Sequence, residues 1–152
     1  MAEQQEMIVE TRLGRRTIDA GNVLYFPRGI AGFEGMHRFV LLRVRPDSPM
    51  VLLQSLDNAE LGLLVTNPFA FCPDYPVRLS TAERNLICLQ DDADLLTLVS
   101  VSIPAGRPQD AVMNLSGPIV VNMREKIGLQ VLADIKGPSR LRLRDLKAPE
   151  EE

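Results

Sequence analysis

His37 is the one histidine in the chain, and no nucleophile or orienting carboxylate is spaced around it in a way that names a reaction. A lone imidazole implies catalysis only when base, nucleophile and orienter are seen together. Its plainer reading is a surface loop residue. Asp91, Asp92 and Asp94 offer hard oxygen ligands, yet they lack the glycine and the closing glutamate of a calcium loop. They read as a solvated acidic loop that would speed the approach of a basic partner. Cys72 and Cys88 have neither C-x-x-C spacing nor an adjacent histidine, so no zinc site or redox pair is expected, and both thiols are expected reduced and partly buried. Gly29 and Gly32 stand in Pro27-Arg28-Gly29-Ile30-Ala31-Gly32-Phe33, but no P-loop lysine and Ser/Thr pair follows. No catalytic residue, cofactor or metal is assigned.

Two arginine series are the basic concentrations: Arg12, Arg15 and Arg16, then Arg140, Arg142 and Arg144. As contacts to single-stranded RNA they would need exposed aromatic rings beside them, and Tyr25 and Phe26 read as strand residues. Seventeen basic against 20 acidic residues give a net charge of -3, the wrong sign for a protein whose main task is gripping phosphate. A basic protein partner suits it better. The aromatic residues are sparse, five phenylalanines and two tyrosines, and three of them fall between Leu64 and Tyr75. In that loop Phe69 and Phe71 are expected to be pinned into a core, and Asp74 and Tyr75 to face outward.

The elements that must position these residues are short. Eleven prolines are spread almost evenly and leave little room for long helices. Met7 to Thr11 and Arg16 to Asp19 form an opening hairpin, and Val23 to Phe26 a short strand ahead of the glycine loop. Arg38 to Arg45 alternates as a half-buried antiparallel strand, with Val40, Leu42 and Val44 on one face. Met50 to Ser55 and Gly62 to Thr66 complete a meander. Ser80-Thr81-Ala82-Glu83 is a capping box, which starts a helix over Thr81 to Ile87. Leu95 to Ile103 is the longest strand and is expected to be central. Ala111 to Leu115 and Ile119 to Asn122 read as two strands broken by Ser116-Gly117-Pro118, followed by Ile127 to Leu132. Ser139 to Leu146 alternates as an edge strand, and residues 148–152, ending in three glutamates, are expected to form a disordered tail. The start is polar and acidic, unlike a signal peptide, and no run reaches the roughly 18 apolar residues of a membrane span, so a cytoplasmic location is expected. The class is all-β: a small antiparallel barrel-like domain over residues 1–147 with one short helix.

Four stretches taken together resemble the flagellar assembly factor FliW family: Phe26-Pro27-Arg28-Gly29-Ile30-Ala31-Gly32-Phe33, Leu53-Gln54-Ser55-Leu56-Asp57, Val65-Thr66-Asn67-Pro68-Phe69 continuing to Pro73-Asp74-Tyr75, and Asn114-Leu115-Ser116-Gly117-Pro118-Ile119-Val120-Val121-Asn122. Gly128-Leu129-Gln130-Val131-Leu132 is similar to the family's closing motif. Gly117 stands where alanine is more usual in that family. The resemblance covers roughly Met7 to Arg144 and implies a non-catalytic, all-β binding protein. It further implies two partners: CsrA, a small dimeric RNA-binding repressor that silences flagellin mRNA, and flagellin itself, which competes for the same protein. A free chain is expected to be a monomer that binds neither nucleic acid nor membrane. Loop position and chemistry nominate Phe33, Glu34, Asp74 and Tyr75 as partner-facing, with Asp91, Asp92 and Asp94 as an electrostatic addition. Two other classes stay open: a direct RNA-binding β module using the arginines, and an enzyme with a site near His37.

Overall fold

The computed structural model describes residues 5–103, 106–107, 110–133 and 140–142. The opening hairpin pairs β1 (Glu6–Thr11) with β2 (Gly14–Asp19) as its own two-stranded sheet. The second sheet holds β3 (Leu24–Tyr25), β4 (Arg38–Arg43), β5 (Met50–Ser55), β6 (Gly62–Thr66), β7 (Leu95–Ser102), β8 (Val112–Asn122), β9 (Ile127–Gln130) and β10 (Arg140–Arg142). Its order is β10-β8-β7-β6-β5-β4-β3-β9, and β9 also pairs with β8, so the strands β3 to β9 close into a ring. Closure is antiparallel except at the seam, where Tyr25 of β3 lies parallel to Ile127 of β9. Closing the ring removes sheet edges that would otherwise invite aggregation. Among the described residues no helix is long and apolar enough to cross a membrane.

Period-two alternation sorts the strand residues into an inside and an outside. Leu24, Phe39, Leu53, Val65, Leu98, Ile119 and Val121 fill the ring, together with Phe26 and Ile30 from the glycine loop. Phe26 and Phe39 meet edge to face at 5.4 Å between ring centres, the arrangement that aromatic quadrupoles favour. The outside is also largely buried, because the chain covers it twice. The hairpin tip docks where the Arg12 N–H reaches Gln54 Oε1 at 2.9 Å, beside Val40 and Leu52, which are buried though they alternate away from the interior. That second cover is why both faces of β4 are buried at Phe39 and Val40, where a half-buried strand is expected from alternation alone.

The other cover is the segment from Asn67 to Leu89, a strap across β7, β8 and β9. It buries Tyr75 against Val99, Met113 and Leu115, and Ile87 and Leu89 against Val120, Leu129 and Val131. Its one α-helix, α1 (Thr81–Leu86), is far too short to be stable alone. Both halves of the capping box form, Ser80 with the Glu83 N–H and Glu83 with the Ser80 N–H. At the other end Cys88 takes φ +56, while the Leu89 N–H bonds Arg84 O and the Cys88 N–H bonds Asn85 O, the paired bonds of a Schellman stop. Burial of Ile87 and Leu89, worth about 1.5–3 kcal/mol each, fixes this end. The left-handed stop also turns the Cys88 side chain out to solvent, in contrast to the partly buried thiol expected for it.

The largest departure from the sequence reading lies in β8. Residues 112–115 and 119–122 do not form two strands. They belong to one, the longest among the described residues. Between register pairs Leu98–Ile119 and Ser100–Asn114, β8 takes five residue steps while β7 takes two, so three residues are surplus. Ser116 and Pro118 nevertheless stay in a ladder, accepting the N–H of Ala133 and of Val131. Proline is tolerated there because a bulge needs no donor from it. An odd surplus reverses which way side chains point. Ile119 and Val121 face the ring interior, whereas Met113 and Leu115 face the strap. The edge strand expected within residues 139–146 is present at β10, on the first part of β8. The remainder of that stretch and residues 148–152 lie outside the described residues.

Two backbone positions yield predictions. A Cβ on Gly128 would come within 3 Å of three atoms of the buried Phe26 ring, so Gly128→Ala is expected to cost about 1–3 kcal/mol in urea unfolding, the usual cost of overpacking. Cys88→Gly relieves the left-handed strain of a non-glycine residue and is expected to raise the same unfolding free energy by about 0.5–1 kcal/mol.

Candidate functional site

The glycine loop between β3 and β4 is fastened at three points. Gly29 and Gly32 take φ +69 and +86, a region other residues enter at a cost. Ala31 donates its N–H to Gln130 Oε1 at 2.9 Å, across the seam of the ring. The Asp57 carboxylate accepts the N–H of His37 at 2.7 Å and of Arg38 at 3.1 Å, and pairs with the Arg38 guanidinium. Burial pushes the Asp57 carboxyl upward, but these donors outweigh it and hold it below its usual value. Glu34 is exposed, and its carboxylate is likewise lowered by its own amide and by the Gly32 N–H, which it accepts at 3.1 Å. Phe33 is half-buried, packed edge to face on Phe39. Of this pair nominated to face a partner, Glu34 is open to solvent and Phe33 serves mainly to seat the loop.

The strap reverses an expectation. Tyr75 is 6% exposed and Phe69 is 39% exposed. Asn67 accepts the Phe69 N–H and starts a 3-10 turn over Pro68–Ala70, which lifts Phe69 out while Phe71 and Cys72 stay against the strap core. Phe69 lies edge to face over Tyr75, and the Tyr75 hydroxyl donates to the main-chain oxygen of Leu115. Tyr75 therefore faces inward, in contrast to the outward-facing residue expected. The physical reason is the β8 bulge, whose outward carbonyl needs a donor that only a side chain supplies. Asp74 remains exposed beside it.

The acidic loop is largely spoken for. Asp91 accepts the Ala93 N–H and caps the 3-10 turn Asp92–Asp94, Asp92 pairs with Arg84 at 2.7 Å, and the Asp94 carbonyl accepts the Met123 N–H. Asp91 and Asp94 come together with Cys88, Arg124 and Glu125 around a cleft of about 420 Å³. Among the described residues no group of three or more His, Cys, Asp or Glu side chains is arranged to hold a metal ion. His37 sits between Tyr25, 6.0 Å between ring centres, and the carbonyl of Phe26, 2.9 Å from Nδ1. That contact needs the proton on Nδ1, so the ring is anchored to backbone and not aimed at a nucleophile.

The arginine series disperse. Arg12 reaches Gly62 O, Arg15 pairs with Glu10, and Arg140 lies across the molecule's other sheet on β10. Arg144 lies outside the described residues. Thus the structure gathers Asp91 and Asp94 in one cleft, leaves Phe33 and Glu34 with the glycine loop, and leaves Asp74 on the strap.

Three amides, buried at Gln54 and Asn122 and half-buried at Gln130, do work that the sequence reading passed over. Gln54 donates to the carbonyls of Ser55, Ala59 and Leu61 while accepting from Arg12. Asn122 donates to Ile87 O and Cys88 O and accepts from Arg124 and Glu125. Gln130 joins Ala31 to Gly117 O, each at 2.9 Å. The available signal was an amide inside an apolar strand run, since a buried amide persists only with partners.

The profile of the family described as FliW protein matches residues 7–144. A flagellar assembly factor FliW of Desulfovibrio desulfuricans is 45% identical over 149 residues, covering 97% of this chain and 90% of the relative. One of Nitratidesulfovibrio vulgaris is 48% identical over 131 residues, covering 86% of this chain and 76% of the relative. A crystal structure of the flagellar assembly factor FliW superposes with a TM-score of 0.80 at 27% identity, covering 90% of this chain and 96% of that one.

Tyr75 gives a pH-dependent prediction. Burial, with the Cys72 thiol beside it, pushes the phenol from its ordinary 10.0 up to about 12. The fold thus favours the neutral phenol, so its contribution is complete below pH 10 and is lost as pH rises through about 12. Tyr75→Phe is expected to cost about 1–3 kcal/mol at neutral pH by stranding the Leu115 carbonyl, and to flatten that alkaline decline in a pH series of unfolding midpoints.

Proposed function

Because the chain belongs to the FliW family of flagellar assembly factors, we propose that it works by binding the translational repressor CsrA and lifting its repression of flagellin mRNA, with flagellin as the competing partner. FliW is a family of assembly factors and not an enzyme family, and the carrying observation is the match over residues 7–144 together with a superposing FliW crystal structure. Flagellin accumulating in the cytoplasm occupies the protein and leaves CsrA free to repress. Export of flagellin releases the protein to capture CsrA. Control then resides in mutually exclusive binding and needs no chemical step.

Charge supports the choice of target. A protein of net charge -3 gains a favourable long-range field toward a basic RNA-binding repressor and is repelled by the message itself. Among the described residues Arg15 is paired with Glu10 and Arg12 is turned to the Gly62 carbonyl, which makes both less available for the phosphate contacts an RNA-binding reading requires.

The test is a displacement titration. The purified chain is saturated with CsrA and then titrated with flagellin, with light scattering or analytical centrifugation following each complex. Flagellin is expected to release CsrA stoichiometrically, and a stable ternary complex would sink the partner switch. In a parallel arm, binding to flagellin mRNA is expected to be undetectable even at low salt, where an RNA-binding module would bind best.

A further inference from the structure

A groove of about 510 Å³ opens at the β8 bulge, walled by Ala31, Glu83, Asn114, Gly117, Gln130 and Leu132. Leu132 stands on its rim with 86% of its surface exposed. Val131 beside it is buried, its side chain on the opposite face. The backbone explains the position. Val131 and Ala133 give their N–H groups to Pro118 O and Ser116 O of β8, so Leu132 between them turns its own N–H and C=O to the opposite edge. The strand that should run along that edge is β3, which is two residues long, meets β9 only at Tyr25–Ile127, and is followed, after Phe26, by Pro27 with no N–H to give. Beyond it the glycine loop reaches β9 through the Gln130 side chain and not through its main chain.

The edge and the groove are therefore joined, and their chemistry selects an occupant. Exposed main-chain donors and acceptors beside an apolar side chain are what an added strand recognises. The charged side chain in the wall is Glu83, an acidic residue whose carboxylate accepts the Ser80 N–H. We propose that this groove takes an extended segment of a partner protein, added as a strand along the Gln130–Leu132 edge where the chain leaves β9, with an apolar side chain on Leu132 and a basic one facing Glu83. The proposal rests on the protein-binding reading above only in taking proteins as what this chain binds.

The test uses the full chain, isotope-labelled, and a capped peptide of about ten residues alternating valine and lysine, long enough for one strand. Its valine and glutamate counterpart is the control. The basic peptide is expected to slow amide exchange at Leu132 by about tenfold or more and to shift the Ala31 and Gly117 signals, whereas the acidic peptide does neither. Leu132→Asp should abolish the protection and leave the unfolding midpoint unchanged, because the side chain is already in water. Glu83→Gln keeps the capping bond and should weaken the basic peptide several-fold at low salt. Absence of Leu132 protection, or equal protection by both peptides, would overturn the proposal. CsrA and flagellin take no part in this titration, so its outcome and that of the displacement experiment stand or fall separately.

Discussion

Three surplus residues in β8 impose the constraint on which the surrounding structure depends. Inserting them into a closed ring leaves four consecutive carbonyls, from Leu115 to Pro118, outside the β7 ladder and in need of other donors. Ser116 O and Pro118 O take the N–H of Ala133 and Val131. Gly117 O takes the Gln130 amide, and Leu115 O the Tyr75 hydroxyl. Two of the four donors are thus side chains, one from the end of β9 and one from the strap. A bulge that looks like a local irregularity fixes the position of two distant segments.

The same surplus reverses the faces of β8 and so assigns the two layers. Its second half packs into the ring and its first half packs outward under Tyr75. The strap covers what the reversal exposes, and the helix it carries is held by its caps and by Ile87 and Leu89. Gly117 fits this frame, since a Cβ there would stand 3.1 Å from the amide nitrogen of Gln130, whose oxygen accepts the Ala31 N–H. The glycine loop, the bulge and the end of β9 consequently form one hydrogen-bonded unit around the groove.

A consequence for function is that the stretches which identify the family are mostly scaffold. Ser55 Oγ accepts the N–H of Asp57 and Asn58, Asp57 holds the start of β4, and Gln54 locks the turn before β6. Asn122 ties the end of α1 to the β8–β9 turn, and Tyr75 and Gln130 serve the bulge. Such residues mark a fold because each has several partners that would be stranded by its loss. They do not by that fact mark a contact surface. Near them the exposed side chains include Glu34, Asp74 and Leu132.

Much of the strand order was legible in the sequence by itself, because period-two alternation and turn residues act locally: the hairpin, β4 to β6, the capping box and β7 each follow from neighbours a few residues apart. The resemblance of several motifs in order likewise supplied the family. What only the tertiary structure decided are the features that depend on partners far along the chain. Alternation cannot show that β8 runs on through Pro118, since the donors that sustain it come from residues 131 and 133. Nor can loop chemistry show that Tyr75 turns in and Phe69 out, because the carbonyl that draws the hydroxyl inward lies forty residues away in β8. Local physics wrote the elements, and the hydrogen-bonding demands of a closed ring chose which side chains were left at the surface.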